Sequence, residues 1–81
     1  MILHIVRAEH VSGHRVRLWF NDGASGEVDF SDVLDGPIFE PLKEESYFRA
    51  FRLEGHTIAW PNGADFAPEY LRELIAAQTA A

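Results

Sequence analysis

Apolar and polar residues alternate twice in the first third of the chain. In RVRLWF, Val16, Leu18 and Phe20 fall on one side and Arg15, Arg17 and Trp19 on the other. A period of two marks a half-buried strand. GEVDF repeats the pattern, with Val28 and Phe30 inward and Glu27 and Asp29 outward. Between them NDGASG carries Asp22-Gly23, a hairpin dipeptide. Pairing the two strands with their apolar sets together brings Arg17 and Trp19 opposite Glu27 and Asp29 on the outer face. An Arg17–carboxylate pair is expected there, stabilising by roughly 0.2–1 kcal/mol. Upstream, Ile2 to Ala8 is apolar and β-branched and reads as a first strand, ended by a turn at Gly13.

The pattern then becomes irregular. Ser31 is placed to cap a short helical turn, with Asp32 near its amino end. Asp35-Gly36-Pro37 breaks the chain and Pro41 forbids a long helix. Ile38, Phe39 and Leu42 are expected as an apolar plug beneath this segment. KEESYF can form one helical turn. FRAFRLEG reads as a strand with Phe51 and Leu53 on one face, joined through Glu54-Gly55 to a short strand, HTIAW. Pro61-Asn62-Gly63 is a tight turn. An aromatic before Pro61 also raises the chance of a cis bond.

A helix follows. Pro68 suits its first position and Glu69 the positive end of its dipole. Phe66 and Leu71 are placed as a hydrophobic staple. Ala67 is a poor cap residue, so Asp65 is expected to compensate by bonding the amides just after it. Leu71, Leu74 and Ile75 form the buried stripe, and residues 76–81 are expected to fray. The fold expected is α+β: an antiparallel sheet of four to five strands, short helical turns in the middle, and a carboxy-terminal helix packed on the sheet. Residues 1–81 are expected to form one domain.

Composition narrows function by exclusion. The chain has no cysteine, which removes disulfides, thiolate metal sites and cysteine nucleophiles; a cytoplasmic setting fits. Seven Lys and Arg against thirteen Asp and Glu give a net charge of -6. Such a domain repels phosphate backbones unless its cations gather on one face. The short apolar run at the start is interrupted by His4 and Arg7 and reads as a strand, not a signal peptide. No window approaches a membrane span.

Candidate chemistry is sparse. His10 and His14 flank a turn beside Glu9 and could ligate a metal, but the spacing matches no specific motif. Asp29, Asp32, Asp35 and Glu40 lie close in sequence, without a partner nucleophile. Ser12, Ser25, Ser31 and Ser46 lack a nucleophile-elbow context. Gly23 and Gly26 are too few for a phosphate-cradling loop. No catalytic residue, metal or cofactor is expected. Trp19 with Arg15 and Arg17 combines residue types that often anchor protein contacts. The block Trp60 to Glu69 is dense, but turn and helix-start duties account for most of it. Trp60, Asn62, Asp65 and Glu69 stand as further contact candidates.

FNDGASGEVDFSDVLDGPIFEPLKEESYFRAFRLEGHTIAWPNGADFAPEYL resembles the bacterial family known as domain of unknown function 2442. Asp22-Gly23, Val28 to Ser31, Gly36 to Lys43, Tyr47-Phe48 with Phe51, and Thr57 to Glu69 carry the likeness, which extends over nearly the whole chain. The resemblance implies a small α+β domain, in some members joined to a helix-turn-helix domain. It implies no catalytic residues. It suggests a neighbouring gene for another short protein, an arrangement similar to toxin–antitoxin pairs. The expected function is a non-enzymatic interaction module, the acidic, antitoxin-like member of a two-protein pair with a small basic partner. Self-association is compatible with this; nucleic acid and membrane partners are not expected. The alternative is a small ligand-binding domain or enzyme with a pocket near Trp60, Asp65 and Glu69.

Overall fold

The computed structural model describes residues 2–79. Three strands, β1 (Ile5–Ser12), β2 (Arg15–Phe20) and β3 (Ser25–Asp29), form an antiparallel meander in the order β1-β2-β3. The parity of β2 and β3 is as the alternation requires. Val16 pairs with Val28, and Val16, Leu18, Phe20, Val28 and Phe30 are all buried. Strand β1 is less regular. Its register against β2 shifts between Ile5 and Arg7 and again between His10 and Ser12, so Val6 and Val11 are extra residues of two bulges. Both valines are exposed.

The middle segment is ordered. Pro37–Lys43 is a 3-10 helix, followed by the single turn α1 (Glu45–Phe48). Pro41 lies inside the 3-10 helix, where an α-helix would have lost a hydrogen bond and met a clash. Leu42 is the plug expected of this segment and Phe39 is half-buried, whereas Ile38 is 47% exposed. Ser31 does not cap a helix. Its backbone N–H and its hydroxyl both donate to the Asp29 carboxylate, at 3.0 and 2.7 Å.

The expected single sheet is divided. Strands β4 (Arg52–Glu54) and β5 (Thr57–Ala59) form a separate two-stranded hairpin, linked to β1 by a hydrogen bond from Ile5 N to His56 O of 2.9 Å. The strand read over FRAFRLEG is shorter than expected because Phe48 ends helix α1 and Arg49 and Ala50 form the turn that follows it. Phe48, Arg49 and Ala50 donate their N–H groups to Glu44, Glu45 and Tyr47 carbonyls. That puts Phe48 in the core and leaves Leu53 45% exposed.

Helix α2 (Pro68–Thr79) closes the core. Leu71 and Ile75 are buried and Leu74 is half-buried. The helix stays regular to Thr79; Ala80 and Ala81, also expected to fray, lie outside the described residues. It docks against Gly26, where an added Cβ would stand 2.7 Å from Ile75 Cγ2, so only glycine allows this approach. Arg72 reaches Asp22 at 3.3 Å, and Gln78 exchanges two hydrogen bonds with the backbone of Asp29, at 2.9 and 3.1 Å. The Gln78 amide thereby acts as a surrogate strand on the β3 edge, one way of protecting an edge from foreign pairing.

An aromatic cluster fills the centre. Phe30 lies 5.5 Å from Phe48, 6.2 Å from Trp60 and 5.3 Å from Phe66, ring centre to ring centre. The tilted and edge-on angles suit the quadrupoles of the rings.

Candidate functional site

The outer face of the meander is the side opposite α2, and three of the candidate residues share it. Trp19 is half-buried between two guanidinium groups: Arg7 stands 4.8 Å and Arg17 5.8 Å from its ring centre. Arg7 reaches Trp19 because of the bulge. Were the Ile5–Phe20 register to continue without a bulge, Val6 would pair with Trp19; with the bulge, Arg7 does. Arg7 also holds Glu9 at 3.0 Å.

Arg17 is in register with Glu27, as parity demanded, but the cross-strand ion pairs belong to Arg15. Arg15 lies 3.8 Å from Glu27 and 3.9 Å from Asp29. Arg17 turns to the indole instead, since Trp19 follows two residues later on the same face. A cation over a partly solvated indole contributes about 0.5–1 kcal/mol, comparable to the surface ion pair it forgoes. The Asp29 carboxyl is held below its usual range, first by the Ser31 backbone N–H, then by the Ser31 hydroxyl, with Arg15 adding charge.

A cleft of about 260 Å³ opens at one end of this face, lined by Arg15, Glu27, Asp29 and Gln78. Its groups are already engaged with one another. None of Trp60, Asp65 or Glu69 lines it.

Trp60 must be corrected as a surface candidate. It is 2% exposed, and its indole N–H donates to Phe48 O at 2.7 Å. A side chain so enclosed belongs to the core. Its peptide bond to Pro61 is trans. Asn62 builds the turn, accepting from Ala64 N at 3.0 Å and donating to Ile38 O at 2.8 Å. Asp65 does not bond the amides after it; its side chain is exposed, with no hydrogen bond or ion pair among the described residues. Helix α2 starts instead on the bare carbonyl of Ala67, which accepts from Leu71 N at 3.2 Å. Glu69 is exposed in its first turn.

His10 and His14 do not converge on a shared point. Each donates from Nε2 to a main-chain carbonyl, His10 to Gly13 and His14 to Leu42, both at 2.9 Å. Among the described residues no group of three or more His, Asp and Glu side chains is placed to hold a metal ion. Likewise none of the described helices is long and apolar enough to cross a membrane.

A meander with a clamped edge, a 3-10 plug and one docking helix defines a small α+β domain whose polar groups serve its own turns. The chain belongs to the family described as Protein of unknown function (DUF2442), whose model matches residues 5–77. No curated protein and no solved structure matches it.

Proposed function

We propose that this chain is a non-enzymatic protein-interaction module, the acidic, antitoxin-like member of a two-protein pair, working in the cytoplasm with a small basic partner. The observation that carries this reading is the partition of charge. The outer sheet face bears Arg7, Arg15 and Arg17 with Glu9, Glu27 and Asp29 and is neutral around Trp19. The remaining four cations stand against ten acids, which accounts for the whole net charge of -6. Such a domain is steered toward a basic protein and offers an aromatic anchor at Trp19 with Arg15 and Arg17 beside it.

Co-expression with the product of an adjacent gene tests it. A stoichiometric complex at low salt is expected, weakening as salt screens the attraction. Failure of the two proteins to co-purify at low salt removes the reading, and a homodimer alone in its place makes self-association the better account.

A further inference from the structure

Two of the blocks that carry the family likeness, GPIFEPLK and WPNGADFAPE, meet on one surface away from Trp19. Phe39 of the 3-10 helix stacks on Phe66, with ring centres 4.9 Å apart and planes 20° from parallel. Phe66 stacks in turn on Tyr70 of α2, at 6.1 Å and 13°. Three rings in a row pin the 3-10 helix to the first turn of α2, and the Asn62 amide adds its bond to Ile38 O. On the solvent side this ridge presents apolar area that the fold does not use. Ile38 is 47% and Tyr70 41% exposed.

Carboxylates border it. Asp65, Glu69 and Glu73 recur at four-residue intervals; Glu69 and Glu73 are one helical turn apart, and Glu73 is the i+3 neighbour of Tyr70. All three are exposed, and none holds an ion pair or a side-chain hydrogen bond among the described residues. By contrast Asp22, Glu40 and Glu54 are paired with Arg72, Lys43 and Arg52. Exposed apolar side chains rimmed by unpaired charge of one sign suit an interface that packs at its centre and is steered at its edge.

We propose that this ridge, centred on Ile38 and Tyr70 and bordered by Asp65, Glu69 and Glu73, is the docking surface for a basic peptide segment of a protein partner, one that sets an apolar side chain between two cations. The apolar side chain covers Ile38 and the Tyr70 ring; the cations answer the unpaired carboxylates. This rests on the reading of the chain as an interaction module and adds a second contact surface for the basic partner, apart from the Trp19 anchor, with what the partner must present there.

The probe is a synthetic peptide of alternating arginine and leucine, titrated into isotope-labelled protein and followed by amide chemical shifts. Shifts are expected over residues 36–42 and 62–73, with the Trp19 indole signal unmoved. Ile38→Ser should weaken binding about tenfold, the loss expected of a centrally placed contact. Glu69→Gln with Glu73→Gln should weaken it about tenfold at low salt, because the two carboxylates that answer the peptide cations are removed together. Glu44→Gln with Glu45→Gln removes the same charge away from the ridge and should leave affinity within about twofold, since only the net charge and not a contact is changed. Equal weakening by both pairs, or shifts centred on Trp19, overturns the ridge. If the adjacent-gene complex forms and survives the ridge substitutions, the ridge fails while the interaction reading stands. If no complex forms at all, that reading fails by itself.

Discussion

The chain uses the same turn twice, and the two copies hold different parts of the molecule together. Phe20-Asn21-Asp22-Gly23-Ala24 and Trp60-Pro61-Asn62-Gly63-Ala64 have the same plan. In each the aromatic residue donates its N–H to the alanine carbonyl, at 2.8 and 2.9 Å, and accepts from the glycine N–H, at 3.1 and 3.0 Å. Each alanine N–H is caught by the Asp22 or Asn62 side chain at 3.0 Å. Each glycine has φ of 89°, the positive value that completes a type I turn with a glycine bulge. The difference lies in the spare end of the capping side chain. Asp22 turns its second oxygen to Arg72 on α2, while Asn62 turns its amide to Ile38 O on the 3-10 helix. One turn is thus tied by charge and the other by a neutral hydrogen bond.

The widest gap between the two turns should appear at their leading aromatics. Both are buried, but only Trp60 donates a side-chain hydrogen bond. Trp60→Ala should cost about 3–5 kcal/mol in chemical denaturation, as for large aromatics removed from a core. Trp60→Phe separates the bond from the bulk. It leaves the Phe48 carbonyl without its indole partner and should cost about 1–3 kcal/mol; a loss under a few tenths would mean the indole is only filler. Next come the glycines. Gly23→Ala and Gly63→Ala meet no atom within 4 Å, so each reports the positive φ alone. Each should lose about 1–2 kcal/mol, and clearly unequal losses would show that the two turns are not the same device.

Much of this plan was legible in the sequence, for a reason these turns make plain. Asp-Gly, Asn-Gly and Pro68 act through their own backbone, so their effect does not depend on distant partners. The parity of β2 and β3 was legible on the same terms, because alternation over five or six residues selects one face. What depended on docking was not legible. A bulge has no side-chain signature, so nothing in IVRAEHVS announces that Arg7 rather than Val6 faces Trp19. A three-residue strand such as β4 is too short for its period to place Leu53. In a 3-10 helix the buried side is chosen by what it packs against, which is why Leu42 is enclosed and Ile38 is not. Gln78 was hidden in an alanine-rich tail, and only its distance from Asp29 reveals it. At the candidate site Trp19 could be read, its Arg7 neighbour could not, and Trp60 was misplaced because a tryptophan beside a turn can face either way.

Exchanging the capping residues separates the two ties. Asn62→Asp keeps an acceptor for the Ala64 N–H but removes the donor to Ile38 O. It should cost about 1 kcal/mol, at pH 7 by urea denaturation, and loosen the 3-10 helix in amide exchange. A protected 3-10 helix in that variant would mean that the Phe39–Phe66 stack alone holds it.

Asp22→Asn is the smallest effect and the most specific. The variant keeps the bond to Ala24 N and loses only the charge that faces Arg72. In the folded protein the Asp22 carboxyl is held below its ordinary value of 3.8, first by the Ala24 N–H and then by Arg72. A depressed carboxyl contributes stability that is fully present above the ordinary aspartate range and is lost as pH falls through the folded value. Asn62 does not titrate, so its turn shows no such dependence. The melting temperature of Asp22→Asn should therefore lie slightly below that of the parent at pH 7, and the gap should close as pH falls below the ordinary aspartate value of 3.8 and through the lower folded one. Added salt at pH 7 should also narrow it, because the pair is solvent-exposed. A gap that closes with acid but is untouched by salt would mean that Asp22 acts through its turn bond to Ala24 alone and that Arg72 contributes nothing to holding α2.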